Sequence, residues 1–414
     1  MLLPILLLAA AGFTVLTTEF LIVGLLPGLA RDLHVSVAQA GLLVSLFAFT
    51  VAVTGPLLTA RVAAHIGPHT GPHTGPHARR RVFVVILVLT ALSNALAAMA
   101  PNLGVLAIAR LVPALGVAVF WSLACETAVA ALGAARAGRA LSIMAYGMVG
   151  ATVFGIPLGT LIGDAFGWRT AFGVLAALAL VKALLLTRLP PTAAATPPLP
   201  FAAQLRLARQ PAILGHVALS VLSFTGMFIA YTYLADFLER LGGLSGPAVG
   251  WTLMAFGAMG LVGNHFGGRL VDRSALRATL VFSGWLALSL ALVAWAAPWS
   301  PALFAVLAVW GIAQSALFIV NNVRLMQAAP SAQALGSALN ISGANAGIGI
   351  GAILGGRVID GPGIAWIGVA AAVVVAGSAV LAWRLLGRPT APAVNRRSRR
   401  DACDSPQASP PPRA

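Results

Sequence analysis

Ionisable side chains are scarce in this chain, and one of them stands apart. Only 10 of 414 residues are acidic, and Glu19 alone lies well inside a long apolar run. A bare carboxylate in hydrocarbon costs at least about 2.5 kcal/mol, so Glu19 must be protonated, paired or turned to water. Burial favours the neutral acid and prepares it to exchange protons near neutral pH. Arg110 is the natural partner. It lies inside another apolar run, at a depth that differs from that of Glu19 by roughly 6 Å at the rise of an α-helix. The spacing predicts a Glu19–Arg110 pair that proton or ligand binding breaks; a purely structural salt bridge is the plainer reading of the same two residues. Glu126 sits near the end of the run that holds Arg110, close to Arg79, Arg80 and Arg81. An inter-helix ion pair that holds one gate state is expected there.

Other reactive chemistry is thin. His65, His69, His73 and His77 recur through a tandem Gly-Pro-His-Thr repeat over 67–78. The prolines forbid the single helix that would align them, so a solvated loop is expected rather than a metal site. No glycine–lysine phosphate loop is present, which argues against ATP as the energy source. No membrane-depth set of histidines and acids could hold a metal, and no paired catalytic groups suggest an enzyme. Neither metal nor cofactor is expected. Cys125 and Cys403 imply no disulfide framework.

The elements that must position these residues are apolar helices. The chain is 59% hydrophobic and 9% charged, far from the roughly one-quarter charged composition of a soluble domain. Twelve runs are each long enough to cross a hydrocarbon layer, at 4–29, 38–60, 82–100, 104–127, 139–163, 169–187, 212–235, 247–268, 278–297, 302–323, 334–356 and 364–386. They are helices because lipid offers no partner to an open strand edge, and they lack the alternation of a β-barrel. The first run has the apolar character of a signal peptide but no positive start, and it continues to Ala30. It reads as an uncleaved first span.

The net charge of +16 is a topology signal rather than a sign of nucleic-acid binding. Threading twelve spans puts 21 of the 26 Lys and Arg, Lys182 among them, on the side of both termini. Four lie on the other side and Arg110 lies within a span. The positive-inside rule then makes both termini cytoplasmic.

The spans fall into two sets of six: a bundle over 1–187, a Pro-rich linker over 188–211, a second bundle over 212–388 and a basic tail over 389–414. Ala151, Gly155, Gly159 and Gly163 on span five match Gly343, Gly347, Gly351 and Gly355 on span eleven, at a constant offset of 192. Such ladders let helices approach closely, either as simple packing or as a smooth surface on which two halves rock. Pro157 removes a backbone bond inside the first ladder and is expected to bend that helix. Repeated halves with a site between them are a transporter architecture. Phe120, Trp121, Tyr146, Phe154, Phe228 and Asn345 are candidates to line an apolar cavity, with helix packing as the blander role for each.

At these ladders the chain resembles a family. Gly155-Ile156-Pro157-Leu158-Gly159, followed by Gly163-Asp164 and Gly167-Trp168-Arg169, is similar to the fifth-helix signature of drug:proton antiporters of the major facilitator superfamily. Thr17-Thr18-Glu19-Phe20 through Pro27 resembles the first helix of the branch that holds sugar-efflux, purine-nucleoside-efflux and chloramphenicol-resistance pumps. Gly268-Arg269-Leu270-Val271-Asp272-Arg273 with Arg277 resembles the superfamily's cytoplasmic gating loop in its second-half copy. The first-half copy keeps Arg61 but has no acid matching Asp272, and the tetrapeptide interrupts it. The resemblance implies an all-α membrane protein of twelve transmembrane helices in two pseudo-symmetric six-helix bundles. It implies proton coupling at Glu19 beside the substrate, and efflux of a small organic molecule by alternating access across the plasma membrane. Substrate, proton and lipid are the expected partners, with a monomer sufficient. A proton-coupled importer or facilitator, and a sensor of the same fold without transport, are the alternatives.

Overall fold

The computed structural model describes residues 2–66, 75–133, 136–188, 209–329 and 333–386. The expected linker and tail therefore lie largely outside the described residues, as do residues 67–74 of the histidine repeat. Within them stand twelve helices long and apolar enough to cross a membrane. Spans one to four are Leu2–Asp32, Val37–Ile66, Gly75–Ala98 and Leu103–Leu132. Span five runs from Ala137 to Phe166 with an interruption, and span six is Trp168–Thr187. Span seven joins Pro211–Tyr231 to Leu234–Arg240. Spans eight to eleven are Gly246–Arg273, Ala275–Ala296, Ser300–Ala328 and Gln333–Asp360, and a 3-10 turn leads into the twelfth, Ile367–Leu386.

The expected loop over 67–78 ends earlier than the repeat does. Gly75, Pro76 and His77 already belong to the third helix. A proline is tolerated in the first turn because its missing N–H would have no intrahelical partner there.

Two spans depart from a plain α-helix. In span five a π-turn, Ala151–Gly155, separates Ala137–Gly150 from Ile156–Phe166. Pro157 sits in the first turn of the second piece. It cannot donate to the carbonyl one turn earlier, and the chain takes up that mismatch as a wide turn. Span seven breaks at Thr232–Tyr233, where Tyr233 leaves helical geometry (φ −108°, ψ 15°).

The glycine ladders pack inside each half, not between the halves as a rocking surface would require. Gly155, Gly159 and Gly163 face Thr17, Leu21 and Leu25 of span one. Gly347, Gly351 and Gly355 face span seven, nearest to the Val221, Thr225 and Ile229 carbonyls. Each ladder thus packs on the first helix of its own half, so one helix pairing is built twice. The ladders rivet span five to span one and span eleven to span seven.

Different residues join the halves. Ser45 on span two donates to the Gly349 carbonyl on span eleven at 2.9 Å, and the Tyr233 ring fits against Gly41 and Gly356. On the other side of the seam, Gly246, Gly250 and Gly257 of span eight meet Asp164, Leu161 and Thr152 of span five. Phe20 and Phe228 lie between them, with ring centroids 5.8 Å apart. A single apolar core runs through both halves at this end, near residues 32–37. Toward the other end the first half has a separate cluster around Ile5, Phe83, Phe120 and Leu186, while the second half keeps the shared core through Val271, Ala275 and Ala278 beside a small cluster of Ile213, Leu325 and Ala329. The bundle is therefore sealed at one end and parted at the other.

Candidate functional site

Glu19 and Arg110 lie together in the middle of the first half, but not as the expected carboxylate pair. The guanidinium of Arg110 donates to the main-chain carbonyls of Thr18 and Glu19, the latter at 2.6 Å. Its flat face covers the Phe47 ring at 4.5 Å. Among the described residues no ion pair includes the Glu19 carboxylate, although Arg110 is near enough to act on it electrostatically. Each terminal nitrogen of the guanidinium thus reaches a different carbonyl of the same helical turn, and the arginine is held by the main chain. Both side chains are buried, Arg110 at 1% exposure and Glu19 at 8%. Asn94 of span three bonds the Thr18 hydroxyl at 3.1 Å, which anchors the same turn of span one from a third helix.

Lys182 changes place relative to its expected cytoplasmic position. It lies on span six, turned inward, with its ammonium on the Thr14 hydroxyl and 5.3 Å from the Phe13 ring. A lysine near a helix end counts as a surface charge in hydropathy, because helix rotation is not visible there. Only the polar Thr14, one turn before Thr18 on span one, marks the inward face in the sequence.

The cavity candidates separate. Phe120 is 0% exposed and packs edge-on between Phe83 and Trp121, so it lines no open surface in this conformation. Trp121 is half-buried and lies over Gly12 of span one. Phe228 is also enclosed, between Phe20, Tyr231 and Phe318. Tyr146 and Phe154 are exposed on span five, Tyr146 by 73%. Asn345 donates to Ile341 of its own helix at 3.0 Å, and its carbonyl oxygen is buried without a partner.

Toward the parted end, Arg79 donates to the Glu126 carboxylate at 3.2 Å. Arg324 on span ten is 2% exposed and bonded to Thr279, Ser220 and the His216 carbonyl. Arg269, Asp272, Arg273 and Arg277 are exposed, and no ion pair among the described residues includes them. The Ser274 hydroxyl caps the ninth span by accepting from the Arg277 amide at 3.3 Å. No cluster of metal-ligating side chains occurs among the described residues.

Comparison with known proteins decides the family. The Major Facilitator Superfamily model matches residues 8–243 and again 218–412. The chain belongs to the Major Facilitator Superfamily. It is thus a multi-pass membrane protein of a transporter family rather than an enzyme. It is 31% identical over 390 residues to a probable sugar efflux transporter of Mannheimia succiniciproducens, covering 92% of this chain and 93% of that one. It is 32% identical to the uncharacterized MFS-type transporter YtbD of Bacillus subtilis, covering 89% and 93%. Solved structures share the fold at lower identity. The nucleoside transporter NupG aligns with a TM-score of 0.74 at 14% identity, over 93% of this chain and 98% of that one. A bacterial homolog of the human lysosomal transporter Spinster, in an inward-facing and unoccupied conformation, aligns with a TM-score of 0.73 at 17% identity, over 92% and 96%.

The sealed end carries a further group of charges, none of which has an apolar-run signal in the sequence. Arg31 of span one reaches Glu239 of span seven at 2.8 Å, across the two halves. Asp236, 3% exposed, pairs with Arg240 at 3.0 Å, and its second oxygen is buried without a partner. These residues and Asp360 line a cavity of about 430 Å³ on the seam. The helix that presents Asp236, Glu239 and Arg240 extends five residues beyond the expected end of span seven, past the break at Tyr233.

Proposed function

We propose that this protein is a proton-coupled exporter of a small organic molecule, working by alternating access as a monomer in the plasma membrane. Both termini are cytoplasmic, on the strength of the lysine and arginine bias. The parted end then faces the cytoplasm and the sealed end faces outward. Glu19 takes and releases the proton, Arg110 holds its turn of span one in place, and the Arg79–Glu126 pair belongs to the cytoplasmic gate.

The observation that carries this reading is the division of labour between Glu19 and Arg110. The arginine spends its hydrogen bonds on the main chain, which leaves the carboxyl group free to change protonation state without unlocking the helix. Transport driven by a proton needs the two conformations to bind that proton differently, and an acid with 8% exposure beside a seam that opens meets this need. The likeness to a sugar efflux transporter makes neutral hydroxylated molecules the first substrates to try.

The test is substrate-linked proton movement in proteoliposomes with an internal pH dye, over a panel of sugars, nucleosides and lipophilic antibiotics. Export by antiport shows as proton flux opposite to the substrate, absent in Glu19→Gln although that variant is inserted and folded. Flux in the same direction as the substrate refutes the efflux assignment. Full proton-linked transport by Glu19→Gln refutes the role of the acid.

A further inference from the structure

Among the described residues the second half holds a buried positive charge that no ion pair balances. The guanidinium of Arg324 donates to the Thr279 hydroxyl at 3.1 Å, to the Ser220 hydroxyl at 2.9 Å and to the His216 carbonyl at 3.2 Å. All three acceptors are neutral. Among the described residues none of the ion pairs reaches Arg324; Asp401 and Asp404 lie outside them. An arginine cannot shed its proton to escape the cost of burial, and a buried ion without a counter-charge costs several kcal/mol. Arg110, the comparable residue of the first half, has Glu19 at hand.

Unused hydrogen-bond donors gather around this charge. The Arg324 Nε, the Asn321 amide nitrogen and the Ser283 hydroxyl are all buried without a partner. Asn321 stands one turn from Arg324 on span ten, and Ser283 one turn from Thr279 on span nine. The two helices run antiparallel and are clasped by the Arg324–Thr279 bond. Asn321 and Ser283 therefore fall at one level, about 5 Å nearer the middle of the bundle. The other hydroxyls are committed: Thr279 donates to Ala275 at 2.8 Å, and Ser220 bonds Asn340 at 3.0 Å. The Asn321 carbonyl oxygen and the His216 Nδ1 are unpartnered as well. An amide can turn its NH2 toward an anion and its oxygen away.

We propose that Arg324, Asn321 and Ser283 form an internal site for a small inorganic anion of the halide class, bound between spans nine and ten. The charge calls for an anion and the free groups are donors. Enclosure limits the size: Thr279, Ser283 and Asn321 are each 0% exposed, so a ligand that joins them must be a monatomic ion rather than an organic acid. In this role the anion fastens span ten to span nine and makes the second half a rigid body.

The test is thermal unfolding of the purified full chain in detergent at constant ionic strength, with chloride exchanged for gluconate. A ligand that binds only the folded state raises the midpoint saturably, here by roughly 2–4 °C. Bromide acts like chloride. Ser283→Ala and Asn321→Ala each raise the chloride concentration needed by roughly tenfold, since each removes a hydrogen bond to a charged group. Arg324→Met abolishes the response. Equal midpoints in chloride and gluconate overturn the proposal, as does a chloride response that survives unchanged in Ser283→Ala and Asn321→Ala. A response to acetate as strong as that to chloride overturns the halide assignment. If Arg324→Met does not fold, the other two variants decide.

Discussion

Replacing Gly257 by alanine adds one methyl group to the seam between span eight and the π-turn of span five. The new Cβ would stand 2.7 Å from the Thr152 carbonyl oxygen and 2.9 Å from the Val153 Cα, where ordinary contact begins at 3.4 Å. Both neighbours are main-chain atoms, so no side-chain rotation relieves the clash. The two helices must part by roughly 0.5–0.7 Å, and overpacking of this kind costs about 1–3 kcal/mol. The cost falls only on the conformation in which the halves touch here. The conformer sealed at this end therefore loses about 5- to 150-fold in population against one in which the spans separate. Spin labels at Met99→Cys and Trp299→Cys, both exposed at the sealed end, report it by pulsed distance measurement in a background without Cys125 and Cys403. The longer distance should grow in Gly257→Ala. Gly351→Ala is the control: its Cβ would lie 2.6 Å from the Thr225 carbonyl, inside the second half, a contact that both conformers keep. It should lower the unfolding midpoint and leave the distances alone. An unchanged distribution in Gly257→Ala, or the same redistribution in Gly351→Ala, refutes the division of glycines into rivets and seam.

Arg110→Met loses two charge-assisted bonds to span one and the Phe47 contact, and should cost about 3 kcal/mol in unfolding free energy. Glu19→Gln should cost less than about 1 kcal/mol, because none of its bonds is lost; equal losses would mean the carboxylate is a structural partner after all. The Arg79–Glu126 pair should respond asymmetrically, since the arginine side chain is 8% exposed and the glutamate 43%. Glu126→Ala strands a buried charge and should lower the unfolding midpoint well beyond Arg79→Ala, whose partner turns to water at a cost of at most about 1 kcal/mol. Arg31→Ala removes an exposed bridge across the seam, its side chain being 68% exposed. It should shift the same spin-label distances by less than about fivefold in population, with the effect of the bridge fading at high salt.

The twelve spans were legible because hydrocarbon thickness sets a length and a composition, and both can be counted along a chain. Duplication was legible from glycine spacing, and the loss of a backbone donor at Pro157 was legible from its chemistry. Rotation about each helix axis was not. That is why the ladders announce a close approach without saying to which neighbour, and why threading places Lys182 on the cytoplasmic side without showing that it turns inward. The Glu19–Arg110 neighbourhood followed from depth alone, but the acceptor did not. Depth puts an arginine near a turn of helix and cannot say whether carboxylate or carbonyl receives it. The groups that close the seam, Gly41, Gly257 and the Arg31–Glu239 bridge, carry no periodic signal. Each works through contact with residues far away in sequence.

Several polar clasps end on main-chain oxygen: Arg110 on Thr18 and Glu19, Ser45 on Gly349, Arg324 on His216, and Tyr233, whose hydroxyl donates to the Ala352 carbonyl at 2.7 Å. A peptide carbonyl is present whatever side chain the residue bears. Point changes at the receiving positions can therefore accumulate over generations without unfastening the helices, provided they keep to the available volume. A lineage built this way can remodel what it recognises while its joints stay intact, so divergence in specificity should run ahead of divergence in architecture.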